Sequence, residues 1–172
     1  MAVCFLDQAL FADLAAGAAA SPRQRLHHNF HGMEEPCHRM AVGLQPGTYI
    51  APHRHLSADK AETLLVLKGA LGLLLFSEDG AVQETRELRA GGECVGVDLT
   101  PGQFHALVVL EADSLLFECK AGPYRPLVDG EFAPWAPREG EAAALDYLAW
   151  MRAQFGSSQR RALARACSRS RT

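Results

Sequence analysis

Apolar and polar residues alternate through the middle of the chain, and this pattern predicts a protein built mainly of short β-strands. Residues 37–44 place apolar side chains on one face and Arg39 on the other, as expected of a half-buried strand. Residues 62–68 and 70–76 form two apolar runs that Gly69 separates. The second run is nearly continuous, which is typical of a strand covered on both faces.

More strands follow, and turn signals rich in glycine and proline separate them. We predict strands over residues 81–88, 93–98 and 114–120, and a further strand that carries His105 after the turn at Pro101-Gly102. This gives about eight or nine short strands, with turns roughly every eight to twelve residues. The spacing favours a β-sandwich or a jelly-roll barrel.

Helical spacing of apolar residues predicts one helix on each side of the strands. Residues 4–19 form the first, which Ser21-Pro22 ends, and residues 139–155 form the second. We therefore expect four parts: an N-terminal helix and leading segment (1–36), a barrel (37–121), a C-terminal cover and helix (122–155), and a basic, flexible tail (156–172).

Composition narrows the class of protein. A chain of 172 residues with 48% hydrophobic residues suits one globular domain. The net charge of -3 gives no general argument for binding nucleic acid, although residues 156–172 carry five arginines and no acid. No apolar stretch is long enough to span a membrane, and Asp7 and Asp13 interrupt the N-terminal apolar run, which argues against a signal peptide.

The five cysteines are scattered, odd in number and without a C-x-x-C pair. This argues against a disulfide framework and favours a cytoplasmic location, where thiols stay reduced. We expect each cysteine to be a small, buried apolar residue.

The candidate chemistry is concentrated in residues 47–69. His53 and His55 are two residues apart, and side chains two apart in an extended strand point to the same side. The pattern therefore predicts a strand that presents both imidazoles, together with Tyr49, on one face. Glu62 stands at the head of the apolar run that follows.

A third histidine, His105, lies in a later strand with Leu107 and Val109 at the same period of two. A lone histidine on a strand is usually structural, but three imidazoles and a carboxylate brought together by a sheet would hold a divalent transition metal. We expect one metal per chain on His53, His55, Glu62 and His105. Zn, Fe, Ni and Mn all remain open as its identity.

These spacings resemble the two motifs of the cupin superfamily. A Gly, five residues, His-x-His, a Glu, six residues and a Gly resemble the first motif, and Pro-x-x-x-His resembles the second, with His105 as a ligand. The resemblance implies an all-β fold, a single cupin jelly-roll barrel or sandwich with flanking N-terminal and C-terminal helices. Six residues separate His55 from Glu62, where the family usually has three or four.

An ordered set of short motifs across residues 23–155 resembles the WbuC family of cupin-fold metalloproteins. The set includes Asn29-Phe30-His31, Arg39-Met40, Pro52-His53-Arg54-His55, Phe117-Glu118-x-Lys120-x-Gly122-Pro123-Tyr124 and Ala133-x-Trp135-x-Pro137. That family occurs in bacteria, often near polysaccharide genes, and its reaction is not established. The resemblance implies that Asn29, His31, Glu118 and Lys120 approach the metal pocket. Without it, residues 23–31 would be a solvated edge segment, and Glu118 and Lys120 an ion pair at a sheet edge.

We expect an enzyme of isomerase, epimerase or lyase type, or an Fe-dependent dioxygenase, acting on a small polar, sugar-derived substrate. Glu118 and His31 are the candidates for proton transfer. Lys120 or Arg39 would bind an anionic group. The candidates for substrate binding are Asn29, Arg39, Tyr49, Lys120 and Tyr124.

The alternative is a non-catalytic module in which the metal clamps a small ligand such as a sugar, or holds the barrel together. No pair of DNA-binding helices precedes the barrel, which argues against a transcription factor. The cupin resemblance also implies a homodimer, because such barrels pair through sheet edges, which hides those edges from unwanted association.

Overall fold

The computed structural model describes residues 3–169, with side chains described for residues 3–156. Eight strands and two helices make up this part of the chain, together with one short 3-10 turn. In order they are α1 (Gln8–Ala20), β1 (Arg25–Asn29), β2 (Cys37–Leu44), β3 (Glu62–Lys68), β4 (Ala70–Phe76), β5 (Val82–Arg89), β6 (Gly96–Leu99), β7 (Phe104–Val109), β8 (Ser114–Ala121), the 3-10 turn (Asp129–Glu131) and α2 (Ala144–Arg169).

The strands form two antiparallel sheets. The five-stranded sheet has the order β1-β2-β8-β3-β6, and the three-stranded sheet has the order β5-β4-β7. Apart from β1-β2 and β4-β5, neighbours in a sheet are not consecutive in sequence, so the chain crosses repeatedly between the sheets, as it does in a jelly roll. The predicted all-β jelly roll with a helix at each end is confirmed.

The main apolar core lies between the two sheets. Every strand except β1 contributes to it, mostly through residues two apart on the inward face. Its buried members are Met40, Val42, Leu44, Leu64, Val66, Leu71, Leu73, Leu88, Leu99, Leu107, Val109 and Leu116.

Each helix covers the outer face of one sheet. Helix α1 packs Leu14 against Ala41 and Leu115 of the five-stranded sheet. Helix α2 packs Leu148, Met151 and Phe155 against the three-stranded sheet. Both contacts require a glycine in the strand below.

The two glycines are Gly43 and Gly72. A Cβ at Gly43 would lie 2.4 Å from the carbonyl oxygen of Leu14, and a Cβ at Gly72 would lie 2.6 Å from the ring of Phe155. Any larger residue would therefore push a helix off its sheet.

Three predicted strands, β2, β3 and β4, have the bounds expected from the sequence. Two expectations need correction. Residues 25–29 form a true edge strand, β1, paired with β2. The expected strand through His53 and His55 does not form, because His53 makes only isolated bridges, to His105 and Phe132.

The remaining expectations concern the ends of the chain and its cysteines. No helix among the described residues is long and apolar enough to cross a membrane. Cys4, Cys37, Cys94 and Cys119 are free thiols, and Cys4 and Cys37 are exposed rather than buried as expected. Helix α2 runs to Arg169, but the side chains of the predicted basic tail lie outside the described residues. The four-part division of the chain stays a prediction.

Candidate metal centre

Backbone pairing brings two of the predicted ligands together. The amide of His53 donates to the carbonyl of His105 at 3.1 Å, and the amide of His105 donates to the carbonyl of His53 at 2.9 Å. This reciprocal pair ties the loop that carries His53 to β7. As a result the two imidazole rings lie 4.6 Å apart between centroids.

Glu62 enters the same space from the other sheet. It is the first residue of β3 and pairs with Lys120 of β8 and Leu99 of β6. Only 3% of Glu62 is exposed. Its Oε1 lies 3.0 Å from Nε2 of His55, and its Oε2 lies 3.2 Å from Nε2 of His105.

The four side chains therefore converge, even though six residues separate His55 from Glu62 where three or four are usual in the cupin motif. Ligand atoms of His53, His55 and Glu62 lie within 4.8 Å of one another. Three imidazole nitrogens and one carboxylate suit a divalent transition metal, so the residues present fit such an ion.

Hydrogen bonds from the far side of two rings orient the cluster. Nδ1 of His53 lies 3.0 Å from the carbonyl oxygen of Ala51, and Nδ1 of His105 lies 3.0 Å from that of Gln103. A carbonyl only accepts, so each Nδ1 carries the proton and each Nε2 can act as a ligand. Burial, followed by the charge of His105, lowers the pKa of His53 to about 3, which keeps that ring neutral.

Lys120 links the carboxylate of the cluster to a second one. Its Nζ lies 2.7 Å from Oε1 of Glu62 and 2.7 Å from Oε1 of Glu118. Burial lowers the pKa of Lys120, but the two carboxylates outweigh it and raise that pKa overall. Burial likewise opposes ionisation of Glu62, yet its bonds to His105 and His55, with the charge of Lys120, lower its pKa. Glu62 therefore stays ionised in a site with little water.

A cavity of about 330 Å³ opens beside the cluster, between the two sheets. Five of the residues predicted from the family resemblance line it, namely Asn29, His31, Glu118, Lys120 and Tyr124. His31 is held by two contacts: its ring stacks on His38 at 3.9 Å, and its Nδ1 accepts from the amide of Arg39 at 2.9 Å. Because β8 lies between β2 and β3, Glu118 and Lys120 belong to the sheet interior and not to an edge.

Two other predicted residues lie away from this cavity. Tyr49 donates from its hydroxyl to the carbonyl of Pro137 at 2.6 Å and packs in the core beneath α2. Arg39 lies on the outward face of β2 and pairs with Glu35 at 2.8 Å. Neither lines this cavity. Arg39 lines an adjoining cavity of about 890 Å³ that shares Asn29 and His31 with the first, whereas nothing in the structure supports a role for Tyr49 in binding substrate.

Several lining residues were missed from the sequence, and the polar ones are Arg23, Arg25, His27 and His38. Arg25 and His27 alternate with Asn29 along β1, so a period of two in this polar segment was the available signal. Burial, followed by the positive charges of Arg25, Arg23 and Lys120, lowers the pKa of His27. This end of the cavity therefore has a positive potential.

Comparison with known proteins gives one family match. The sequence model of a domain family of unknown function, DUF6016, matches residues 6–88, just under half of the chain. No curated protein matches the chain.

Solved structures similar to this chain include several cupin-fold proteins. KdgF from Halomonas sp. is 23% identical, with a TM-score of 0.47, over 61% of this chain and 83% of that one. An RmlC-like cupin with a double-stranded β-helix fold from Methanocaldococcus jannaschii is 18% identical, with a TM-score of 0.44, over 59% and 83%. A cupin-2 domain protein from Shewanella frigidimarina is 15% identical, with a TM-score of 0.43, over 56% and 80%. The strand order and pairing, and not these similarities, establish the jelly-roll fold of this chain.

Proposed function

We propose that the chain binds one divalent transition metal through His53, His55, Glu62 and His105 and acts on a small polar substrate in the adjoining cavity. The observation that supports this most strongly is the convergence of three imidazoles and a buried carboxylate at a cavity of small-molecule size. Isomerase, epimerase or lyase chemistry on sugar derivatives is the first class to test, and an Fe-dependent dioxygenase is the variant.

Several residues that line the cavity would have distinct roles in the reaction. A bound metal would supply Lewis-acid polarisation of a substrate oxygen. Glu118 and His31 both line the cavity, and each has the chemistry to hold or accept a proton there. Asn29, with both hydrogen-bond donors and an acceptor in its side chain, would orient substrate hydroxyl groups.

A non-catalytic module that clamps a small ligand is the alternative. One observation favours it: both oxygens of Glu62 already contact His55, His105 and Lys120, so the cluster is held together by the protein itself. The WbuC resemblance, a link to polysaccharide metabolism, the homodimer and the cytoplasmic location stay predictions.

Elemental analysis of the chain, purified without added metal or a His tag, tests the proposal. We expect near-stoichiometric Zn, Fe, Ni or Mn. His53→Ala and His105→Ala should lose most of it, because each removes one of only four ligands. His28→Ala is the matched control, because His28 contacts Phe30 away from the cavity, and it should keep the metal.

Equal metal content in all three variants would contradict the ligand assignment, and a chain that takes up no metal on titration would contradict the proposal as a whole. Glu62→Ala separates the remaining possibilities. Unchanged metal content in that variant would mean that the carboxylate contacts the histidines without binding the ion.

A further inference from the structure

The cavity beside the metal centre continues into a second one. The second cavity has a volume of about 550 Å³ and shares Arg23, Arg25, Ile50, His53 and Tyr124 with the first. The two therefore form a single cleft, which runs from the predicted metal ligands to the loop that carries Arg138. A ligand larger than the first cavity would extend in this direction.

Charge is distributed unevenly along the cleft. The second cavity is lined by three arginines, Arg23, Arg25 and Arg138, which we call the arginine mouth, and by one carboxylate, Glu139. Glu139 pairs with two of these arginines: its Oε2 lies 2.7 Å from Nη2 of Arg23 and 2.8 Å from Nη2 of Arg25. Asp129, outside the lining, lies 3.7 Å from Arg138, so two carboxylates face three guanidinium groups, which leaves one excess positive charge at this end.

The guanidinium of Arg25 is held in place by the protein. Its side chain is only 6% exposed, and it donates to Glu139 and, at 3.1 Å, to the carbonyl of Tyr49. A guanidinium has five donors, and the partners among the described residues do not use them all. A buried cation that is already oriented loses little entropy when it binds an anion.

Arg138 is the more available cation. Its guanidinium stacks on the ring of Phe132, 3.6 Å from the centroid, and lies 3.7 Å from the exposed carboxylate of Asp129. That distance exceeds a normal hydrogen bond, so among the residues with described side chains no partner occupies the donors of Arg138.

The cations expected from the sequence to bind an anion are engaged elsewhere. Lys120 sits between two carboxylates, and Arg39 pairs with Glu35 outside the cavity. We propose that the arginine mouth binds the anionic group, a carboxylate or a phosphate, of a ligand whose other oxygens reach the metal centre. This inference rests on the proposed function, since it assigns one substrate class to the same site.

Calorimetric titration with three matched probes tests it: D-glucuronate, D-glucose 6-phosphate and D-glucose. We expect at least one anionic probe to bind about tenfold or more tightly than glucose, with an affinity that falls as salt is added. Comparison of the two anionic probes decides between carboxylate and phosphate.

Variants locate the effect. Arg138→Met and Arg25→Met should each cut anion affinity about tenfold and reduce glucose affinity by much less, so that the preference for the anion falls. Arg138 is partly exposed, so its variant remains informative if Arg25→Met fails to fold. Arg86→Met is the control, because Arg86 is an exposed residue of β5 paired with Glu84, and it should change nothing.

Metal content is measured on the same samples, which keeps the two proposals apart. The inference is overturned if neither anionic probe binds more tightly than glucose, even when the metal is present. It is also overturned if none of the three probes binds at millimolar concentration. A preference that survives Arg138→Met and Arg25→Met also overturns it. Absence of metal in the wild-type chain counts against the proposed function instead.

Discussion

The two ends of the barrel interior are built from the same strands but have opposite chemistry. On the inner face of β3, Glu62 is followed two residues later by Leu64, and on β7, His105 is followed by Leu107. The polar members of these pairs meet at the open end, beside the cavity. The apolar members, Leu64 and Leu107, line the same cavity and also belong to the main core, which Leu71 and its neighbours extend away from the polar cluster.

The difference shows how a small barrel supports a buried charged cluster. Burying Glu62 is costly unless every partner is present, and here His55, His105 and Lys120 supply them. The apolar end needs no such partners, and its burial stabilises the fold by roughly 25 cal/mol per Å² of apolar surface. Stability and binding should therefore be separable by mutation.

Leu71→Ala should give the largest effect on stability. Leu71 is fully buried in the main core, at the end of β4 away from the residue that pairs with His105. Truncation should lower the free energy of unfolding by about 2–5 kcal/mol, through lost burial and a cavity. Denaturant unfolding measures this.

Leu65→Ala is the matched control, because Leu65 lies on the outer face of β3 and is 38% exposed. Leu65→Ala should lower the free energy of unfolding by far less than Leu71→Ala does. Metal content per folded molecule should be unchanged in Leu71→Ala. Loss of metal from the folded Leu71→Ala protein would mean that the two ends are not independent.

Lys120→Met, at the polar end, should give the second-largest loss of stability. It leaves Glu62 and Glu118 without their shared cation, and we expect a loss of about 1–3 kcal/mol in metal-free protein. A bound divalent ion would replace part of the missing positive charge, so the loss should shrink when metal is present. Unfolding with and without a chelator measures both values.

Lys68→Met provides the control, because Lys68 is exposed at the end of the same strand that carries Glu62. It should alter neither value by more than a few tenths of a kcal/mol. If Lys120→Met costs the same with and without metal, then Glu62 does not belong to the metal centre.

The sequence predicted the apolar elements better than the polar ones. Strands β2, β3 and β4 were located to the residue, because alternation or a continuous apolar run records burial directly. Strand β1 was missed as a regular element. It is a polar edge strand, and its pairing with β2 is evident only in the folded chain.

The same limit explains the errors in the site. The ligand set was predicted from residue types and spacing, but Tyr49 was placed beside His53 by assuming an unbroken strand. No such strand forms, so side chains two residues apart do not share a face there. Tyr49 instead packs beneath α2. Arg25 was missed although it alternates with His27 and Asn29 along β1, because its burial depends on a pairing with Glu139 that spans more than a hundred residues.

The smallest expected effect on stability is at the arginine mouth, where the ionisation of Glu139 makes stability depend on pH. Bonding to Arg23 first, and then to Arg25, lowers the pKa of Glu139 to about 2 from an ordinary value of 4.5, against the opposing effect of burial. Because the folded-state pKa is the lower one, the resulting stability is complete above about pH 4.5 and is lost as pH falls towards 2. The side chain is 37% exposed, so solvent screening limits the gain to about 1 kcal/mol.

Glu139→Gln should therefore be less stable than the wild type by up to about 1 kcal/mol at pH 7, and the two should converge near pH 2. Glu141→Gln, two residues away at an exposed position, should match the wild type at pH 7. A constant difference down to pH 2 would show that Glu139 acts through packing and not through charge. In that case the ion pairs of Glu139 with Arg23 and Arg25 would contribute nothing measurable to stability.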